Sequence, residues 1–365
     1  NRIVCAARAG NCPACRLPNT ENPIKQQDIG IDLGTTSIII ATEQQGVVFS
    51  QPSIGAIDTR TGEVIAVGDR ALRMVGRAPS YIELVRPLRD GVIQDHRMTH
   101  ELIVRFVNQV CRSRILRPRV SVCVPAAITG VEADAVVEAV MSAGAKQVFL
   151  VDEPVAAALG AGLDIRQPRG CMVIDIGGGS TDIAVISMGG KVRAASLPVA
   201  GNAFDSCIAQ CVQQKYDLAI GPATAELLKK QVASCSDSDF EGVMEVRGHS
   251  WQTSLPARQL VYARDLYAPV RELVARIAAA ARSVLESTPP ELASDVSQTG
   301  VLLTGGGSML RGLPGYLAGQ LHVNVALAPD PLNCVARGTA ASLSLGRHLT
   351  AGFRDATPKV WRARL

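Results

Sequence analysis

Two stretches of this chain share one design. Residues 29–40 read IGIDLGTTSIII, and residues 172–186 read MVIDIGGGSTDIAVI. In each, an apolar run ends in an aspartate, a turn of Gly, Thr and Ser follows, and a second apolar run returns, the pattern of a β-hairpin with a carboxylate at the end of its first strand. The first turn carries Thr35, Thr36 and Ser37 after Asp32. The second carries Gly177, Gly178, Gly179 and Ser180 after Asp175. Small residues let successive backbone N–H groups approach an anion, and the hydroxyls add donors, so a polyphosphate is the natural guest. Aspartates beside phosphates repel them unless a divalent cation lies between, and Mg²⁺ is held by one or two carboxylates together with phosphate oxygens. Either turn alone reads as an ordinary glycine-rich hairpin. Two matching turns in one chain do not.

Two further sites join them. Asp152-Glu153-Pro154 stands where an apolar run, residues 148–151, meets a helix beginning at Pro154, a favoured first helical residue. The residue before proline avoids helical dihedrals, so Glu153 sits at a strand–helix corner, where its carboxylate could orient or deprotonate a water attacking phosphorus. The plainer reading is an acid favoured by the helix dipole. After the run VLL (301–303) comes Thr304-Gly305-Gly306-Gly307-Ser308-Met309. Backbone without side chains at Gly306 and Gly307, bordered by Ser308 and Met309, leaves room for a flat base or ribose. A lone GGG is equally a plain turn.

These residues need a scaffold, and the chain repeats one. VFLVDEPVAAALGAG (148–162) is echoed by VNVALAPDPLNCVARGTAA (323–341), each a strand, an acid–proline step and a small-residue helix. Short β-rich runs alternate with helical stretches at 99–110 (Thr99 as N-cap), 131–143 and 257–287, the last before Pro289-Pro290. The fold class is therefore α/β, with two related lobes facing each other across a cleft, where ligand sites concentrate. The expected division is an unstructured leader at 1–27, a first domain from 28–152 plus 325–348, a second domain at 153–324 and a C-terminal tail at 349–365.

A chain of 365 residues is long enough for two cores. With 47% hydrophobic and 19% charged residues it is globular rather than disordered. A net charge of +4 is well short of that of a dedicated nucleic-acid binder, so no nucleic-acid partner is expected, and it suits an anionic cytoplasmic leaflet. No apolar run reaches the roughly 18 residues of a membrane span, and the first residues lack the apolar centre of a signal peptide, so the expected location is cytoplasmic. The ten cysteines are mostly dispersed in apolar segments and read as reduced, buried thiols. Cys12 and Cys15 have CxxC spacing without the further ligands of a structural zinc site.

Taken in order, Asp32-Leu33-Gly34-Thr35-Thr36, Asp152-Glu153-Pro154 with its alanines, Asp175 to Asp182 and Thr304 to Leu313 resemble the actin superfamily of ATPases. Within it, RPLRDGVI (86–93), VCVP (122–125), MEVRG (244–248) and PLNCVARG (331–338) are similar to the bacterial MreB type. The likeness runs from about residue 28 to residue 348. It implies the actin-like ATPase fold, two duplicated ribonuclease H-like lobes around a nucleotide cleft, with ATP and Mg²⁺ as cofactors. By the same resemblance, Asp32 and Asp175 would lie near the metal, the two turns would hold the phosphates, Glu153 would position the hydrolytic water, and Gly306 to Met309 would border the adenosine. TAELLKK (224–230) matches a helix touching the nucleoside, which suggests Glu226 and Lys229. From spacing alone these two are a solvated helix pair. Ser180 and Asp182 stand where many relatives carry Thr and Glu.

The implied function is a cytoskeletal filament protein, a slow ATPase whose hydrolysis times its subunit contacts. Its partners would be further copies of itself, the anionic inner membrane surface and cell-wall elongation proteins, and it would be peripheral at the inner face of the cell membrane, directing wall synthesis and rod shape. Residues 1–27 do not resemble the basic amphipathic anchor of some relatives. RSRILRPR (112–119) does resemble an apolar insertion loop, with Ile115 and Leu116 as the inserting pair, although it also reads as a solvated basic turn. Two rivals belong to the same superfamily. A chaperone ATPase would need a large substrate-binding region, and a small-metabolite kinase would need an acceptor pocket and a base for its hydroxyl.

Overall fold

The computed structural model describes residues 28–89, 91–111, 117–125, 128–236, 238, 240–349 and 351–359. Two mixed sheets form the frame, and they repeat one topology. In the first, strands run in the order Gly46–Pro52, Ser37–Thr42, Ile29–Leu33, Arg119–Val124 and Gln147–Asp152. In the second, the order is Gly190–Leu197, Thr181–Ser187, Cys171–Ile176, Val301–Thr304 and Val325–Leu327. Each is an antiparallel meander of three strands joined on one side to two parallel strands. The two chemistry-bearing hairpins are the matching first turns of these meanders. Smaller antiparallel sheets cap each lobe, one built from Gly55–Asp58, Glu63–Val67 and Ile82–Val85, the other from Leu218–Ala219, Val243–Ser250 and Pro256–Tyr262.

Period-2 alternation decides which face of each first strand meets what. Ile29, Ile31 and Leu33 enter the first-lobe core with Leu102, Phe106 and Val136. Met172, Ile174 and Ile176 enter the second with Phe204, Leu266 and Val274. Asp32 and Asp175 therefore point to the opposite faces, which look toward the other lobe. Between those faces lie the two small-residue helices, Glu153–Gly160 and Cys334–Leu345. The first follows a strand of sheet one yet packs Val155 to Ala158 with Val173, Ala184 and Ile186 of sheet two. The second follows a strand of sheet two yet packs Ala336 and Ala340 on Ile39 and Ala41 of sheet one. The helices cross backbone to backbone. A Cβ on Gly160 would lie 1.7 Å from the Cys334 carbonyl oxygen, and one on Gly338 would lie 1.8 Å from that of Ala156.

Several elements differ from the sequence expectation. The helix expected over 99–110 is His96–Val110, because Asp95 accepts from the Met98 N–H (2.8 Å) as N-cap, while Thr99 is buried one turn in and donates its hydroxyl to the Asp95 carbonyl (2.8 Å). The stretch 257–287 begins as strand Pro256–Tyr262, paired with Val243–Ser250, and becomes helix only over Ala263–Glu286. The intrinsic helix preference of its first residues yields there to cross-strand pairing. Val325–Leu327 belongs to the second sheet, so the chain returns to the first lobe after that strand rather than before residue 325. The expected tail also contributes structure. Phe353–Asp355 adds a sixth strand to the first sheet beside Gln147–Asp152, with Phe353 stacked on Phe149 at 5.3 Å.

Candidate functional site

The first turn closes tightly, since a Cβ on Gly34 would lie 2.7 Å from the Ser37 carbonyl. In the second turn the Gly177 N–H donates to the Ser180 carbonyl (3.0 Å). The two turns meet: a Cβ on Gly178 would lie 1.9 Å from the Thr36 hydroxyl oxygen. A third turn closes the same point. Gly91, at φ +78°, donates its N–H to the Thr35 hydroxyl (3.4 Å), and a Cβ on it would lie 3.3 Å from the Ser180 hydroxyl. The N-terminus of helix Gly201–Tyr216 backs the second turn, with Gly201 and Asn202 donating to the carbonyls of Gly177 (3.1 Å) and Gly178 (2.8 Å).

Behind the turns lie four carboxylates. Burial raises Asp32 to about 7, and the charge of Asp175 adds to the rise. Burial raises Asp175 to about 7 as well, opposed by the hydrogen bond from the Thr304 hydroxyl (2.5 Å) and reinforced by Asp182. Burial pushes Glu153 well above the carboxylate range, and Asp182, Asp175 and Asp32 each push it further. Burial raises Asp182 too, against the hydroxyls of Ser196 and Ser180 and the ammonium of Lys191. Asp175 thus acts on Asp32, and both act on Glu153, across one cleft, with Asp32 from one lobe and Asp175 and Asp182 from the other.

This donor set fits a divalent cation. Several mutually repelling, partly desolvated carboxylates are costly without a positive partner. Among the described residues no group of three or more His, Cys, Asp or Glu is arranged to hold an ion by itself. Such a set suits Mg²⁺, which takes one or two carboxylates and completes its shell from phosphate and water.

The third glycine turn packs on the second sheet's first strand. Cβ atoms on Gly305 and Gly307 would lie 2.3 and 3.0 Å from the Ile176 carbonyl. Gly306–Met309 is one turn of 3₁₀ helix in which the buried Ser308 hydroxyl donates to the Gly305 carbonyl (2.6 Å). Met309 and Leu332 stay half exposed beside it, and Leu332 approaches Gly306, an apolar lip next to bare backbone.

A comparison with known proteins identifies the lineage. The model of the MreB/Mbl protein family matches residues 26–350. The chain belongs to the MreB/Mbl family. It is 44% identical over 318 residues to the cell shape-determining protein Mbl of Bacillus subtilis (strain 168), covering 87% of this chain and 96% of the relative. It is 42% identical over 324 residues to the cell shape-determining protein MreB of Escherichia coli (strain K12), covering 87% and 93%. Solved structures of MreB5 of Spiroplasma citri bound to ADP and to AMPPNP each superpose with a TM-score of 0.83, at 33% and 34% identity, covering 88% and 89% of this chain and 98% of those chains. The fold is therefore actin-like, as the motifs imply.

Within that family frame, Glu226 and Lys229 part company. Glu226 pairs with Lys230 (2.6 Å) one helical turn on. Lys229 reaches the foot of the second turn, donating to the Gly201 carbonyl (3.1 Å) and pairing with Asp205 (2.9 Å). Ile115 and Leu116 lie outside the described residues, as does the leader 1–27. Three residues acquire a role only in the fold. Asp182 enters because strand register sets it opposite Asp175. Thr304 enters as the hydroxyl on Asp175. Lys191 crosses to pair with Asp152, the residue before Glu153, and so ties the lobes behind the cleft. A signal for Asp182 exists in the repeat itself, since the matching place in the first hairpin holds Ile39.

Proposed function

We propose that the protein is an actin-like cytoskeletal ATPase of cell shape: it binds MgATP between its lobes, hydrolyses it slowly, and assembles head to tail into filaments. These filaments lie on the anionic inner face of the cell membrane and organise wall synthesis with the elongation proteins. The observation that carries the reading is the meeting of two aspartate-based glycine turns, one from each duplicated lobe, over a shared carboxylate cluster that includes Glu153. The ADP and AMPPNP bound in the two MreB5 structures support it.

Each group has a task in this reading. The N–H groups of 34–37 and 178–180 and the hydroxyls of Thr35, Thr36 and Ser37 cradle phosphate oxygens. Asp32 and Asp175 hold Mg²⁺, which supplies charge neutralisation for the phosphates and for the carboxylates. Glu153, projecting from the start of its helix, orients the attacking water. Gly306, Gly307, Ser308 and Met309 border the base. Head-to-tail contacts between identical subunits give open filaments whenever the rotation between them does not close.

Sedimentation, electron microscopy and phosphate release with MgATP test this directly. The expected outcome is filaments that pellet with MgATP, together with slow phosphate release. Glu153→Gln should bind nucleotide as the wild type does and lose hydrolysis by about 100-fold. Soluble monomers under every condition would overturn the filament reading. ATP consumption that depends on an added sugar would make the protein a kinase instead.

A further inference from the structure

Asp182 is a polar residue where strand packing asks for none. It sits in the middle strand of the second meander, directly opposite Asp175, and both are about 2% exposed. The duplicated first lobe provides an internal control, because Asp32 has Ile39 at the same register. An apolar side chain therefore satisfies the fold at this position, and the carboxylate appears only in the second half. Its Oδ2 is buried without a hydrogen-bond partner among the described residues. Burying a carboxylate oxygen without a partner is costly, and such groups persist where function uses them. The hydroxyls of Ser180 and Ser196 support its charged form, and Ser180 is the last residue of the second turn. Asp182 is also first among the charges felt by Glu153.

We propose that Asp182 is a positioning residue for the hydrolysis assigned above: it fixes the end of the second turn through Ser180 and, facing Glu153, sets where the water-orienting carboxylate points. Displacing a reacting group by about 1 Å can cost roughly 100-fold in rate while leaving binding intact. A positioning role of this kind lowers kcat and spares affinity, whereas a merely structural one damages both.

The test measures phosphate release and nucleotide affinity for the full chain and three variants. Asp182→Asn keeps the shape and removes the charge, Asp182→Ile copies the first lobe, and Asp182→Glu restores a carboxylate. The expected result is kcat at least about 10-fold lower in Asp182→Asn and Asp182→Ile, with KM and Kd for MgATP within about 3-fold of wild type. Asp182→Glu should recover to within about 3-fold of wild-type kcat. Unchanged kcat in Asp182→Asn would overturn the proposal, as would a joint loss of affinity and rate, or a folded Asp182→Glu that recovers nothing. Because the inference rests on the ATPase reading, wild-type turnover separates the two: no wild-type hydrolysis defeats that reading, and active wild type with unaffected variants defeats this one alone.

Discussion

Asp32 and Asp175 each stand at about 7 in the folded chain, against an ordinary aspartate value of 3.8. Between those limits the folded state keeps protons that the unfolded state has released, so stability falls as pH rises. Their contribution is fully present below about 4 and is lost as pH passes through 7. Across pH 6 to 8 the cost is roughly 1 kcal/mol per group. The nucleotide-free protein should therefore melt several degrees lower at pH 8 than at pH 6 by circular dichroism. Asp175→Asn cannot ionise and should narrow that gap, as should MgATP bound to the wild type. An equal gap in Asp175→Asn would show that the cluster is not its source. Both aspartates, Glu153 and the glycine turns are legible in the sequence because each is marked locally, by a strand end, a turn or a proline. Asp182, Thr304 and Lys191 are not, because their importance comes from register and from the approach of the second lobe.

At the scale of elements, the decisive feature is the exchange of helices between lobes. Glu153–Gly160 leaves sheet one to pack on sheet two, and Cys334–Leu345 does the reverse, so their crossing sets the spacing of the cleft. Gly160 and Gly338 let the two backbones touch, and Gly30 does the same beneath Ala340, where a Cβ would lie 2.3 Å from its nitrogen. Gly338→Val forces the helices apart and should cost about 3 kcal/mol or more, exceeding ordinary overpacking because the obstacle is backbone. Denaturant melts would register this, and nucleotide affinity should fall as well, since the turns no longer meet. Stability within about 0.5 kcal/mol of wild type would refute the close-crossing account. The repeat of strand, acid–proline and small-residue helix is readable in sequence. The exchange is not, because periodicity tells that a helix has a buried face but not which sheet covers it. The same limit explains Pro256–Tyr262, whose strand state depends on a partner strand rather than on its own residues.

At the scale of the molecule, we infer that the two sheets work as a hinged pair. The helices cross at the back of the cleft, Lys191 and Asp152 bridge the lobes, and Phe353–Asp355 straps the edge next to Glu153 through the Asp152 N–H, which donates to the Gly352 carbonyl (2.8 Å). A hinge of this kind can convert nucleotide state into a change of the surfaces that meet in a filament. Assembly in turn decides whether a weak membrane contact matters. In the segment 112–119, Ile115 and Leu116 would contribute roughly 1.5–3 kcal/mol each if fully buried in the bilayer. Arg112, Arg114 and Arg117 add about 1 kcal/mol each near an anionic surface, while Arg119 begins strand Arg119–Val124 and pairs with Asp28. Less the cost of immobilising a subunit, one such loop binds weakly and reversibly, whereas a filament offering many loops in register gains through effective concentration. Replacing both Ile115 and Leu116 with Ser should therefore release filaments from anionic liposomes in a flotation assay while nucleotide affinity and pelleting with MgATP stay unchanged. The wild-type protein should in addition bind liposomes far more tightly with MgATP than without it. Liposome binding that survives the double substitution would assign the contact to another surface of the filament.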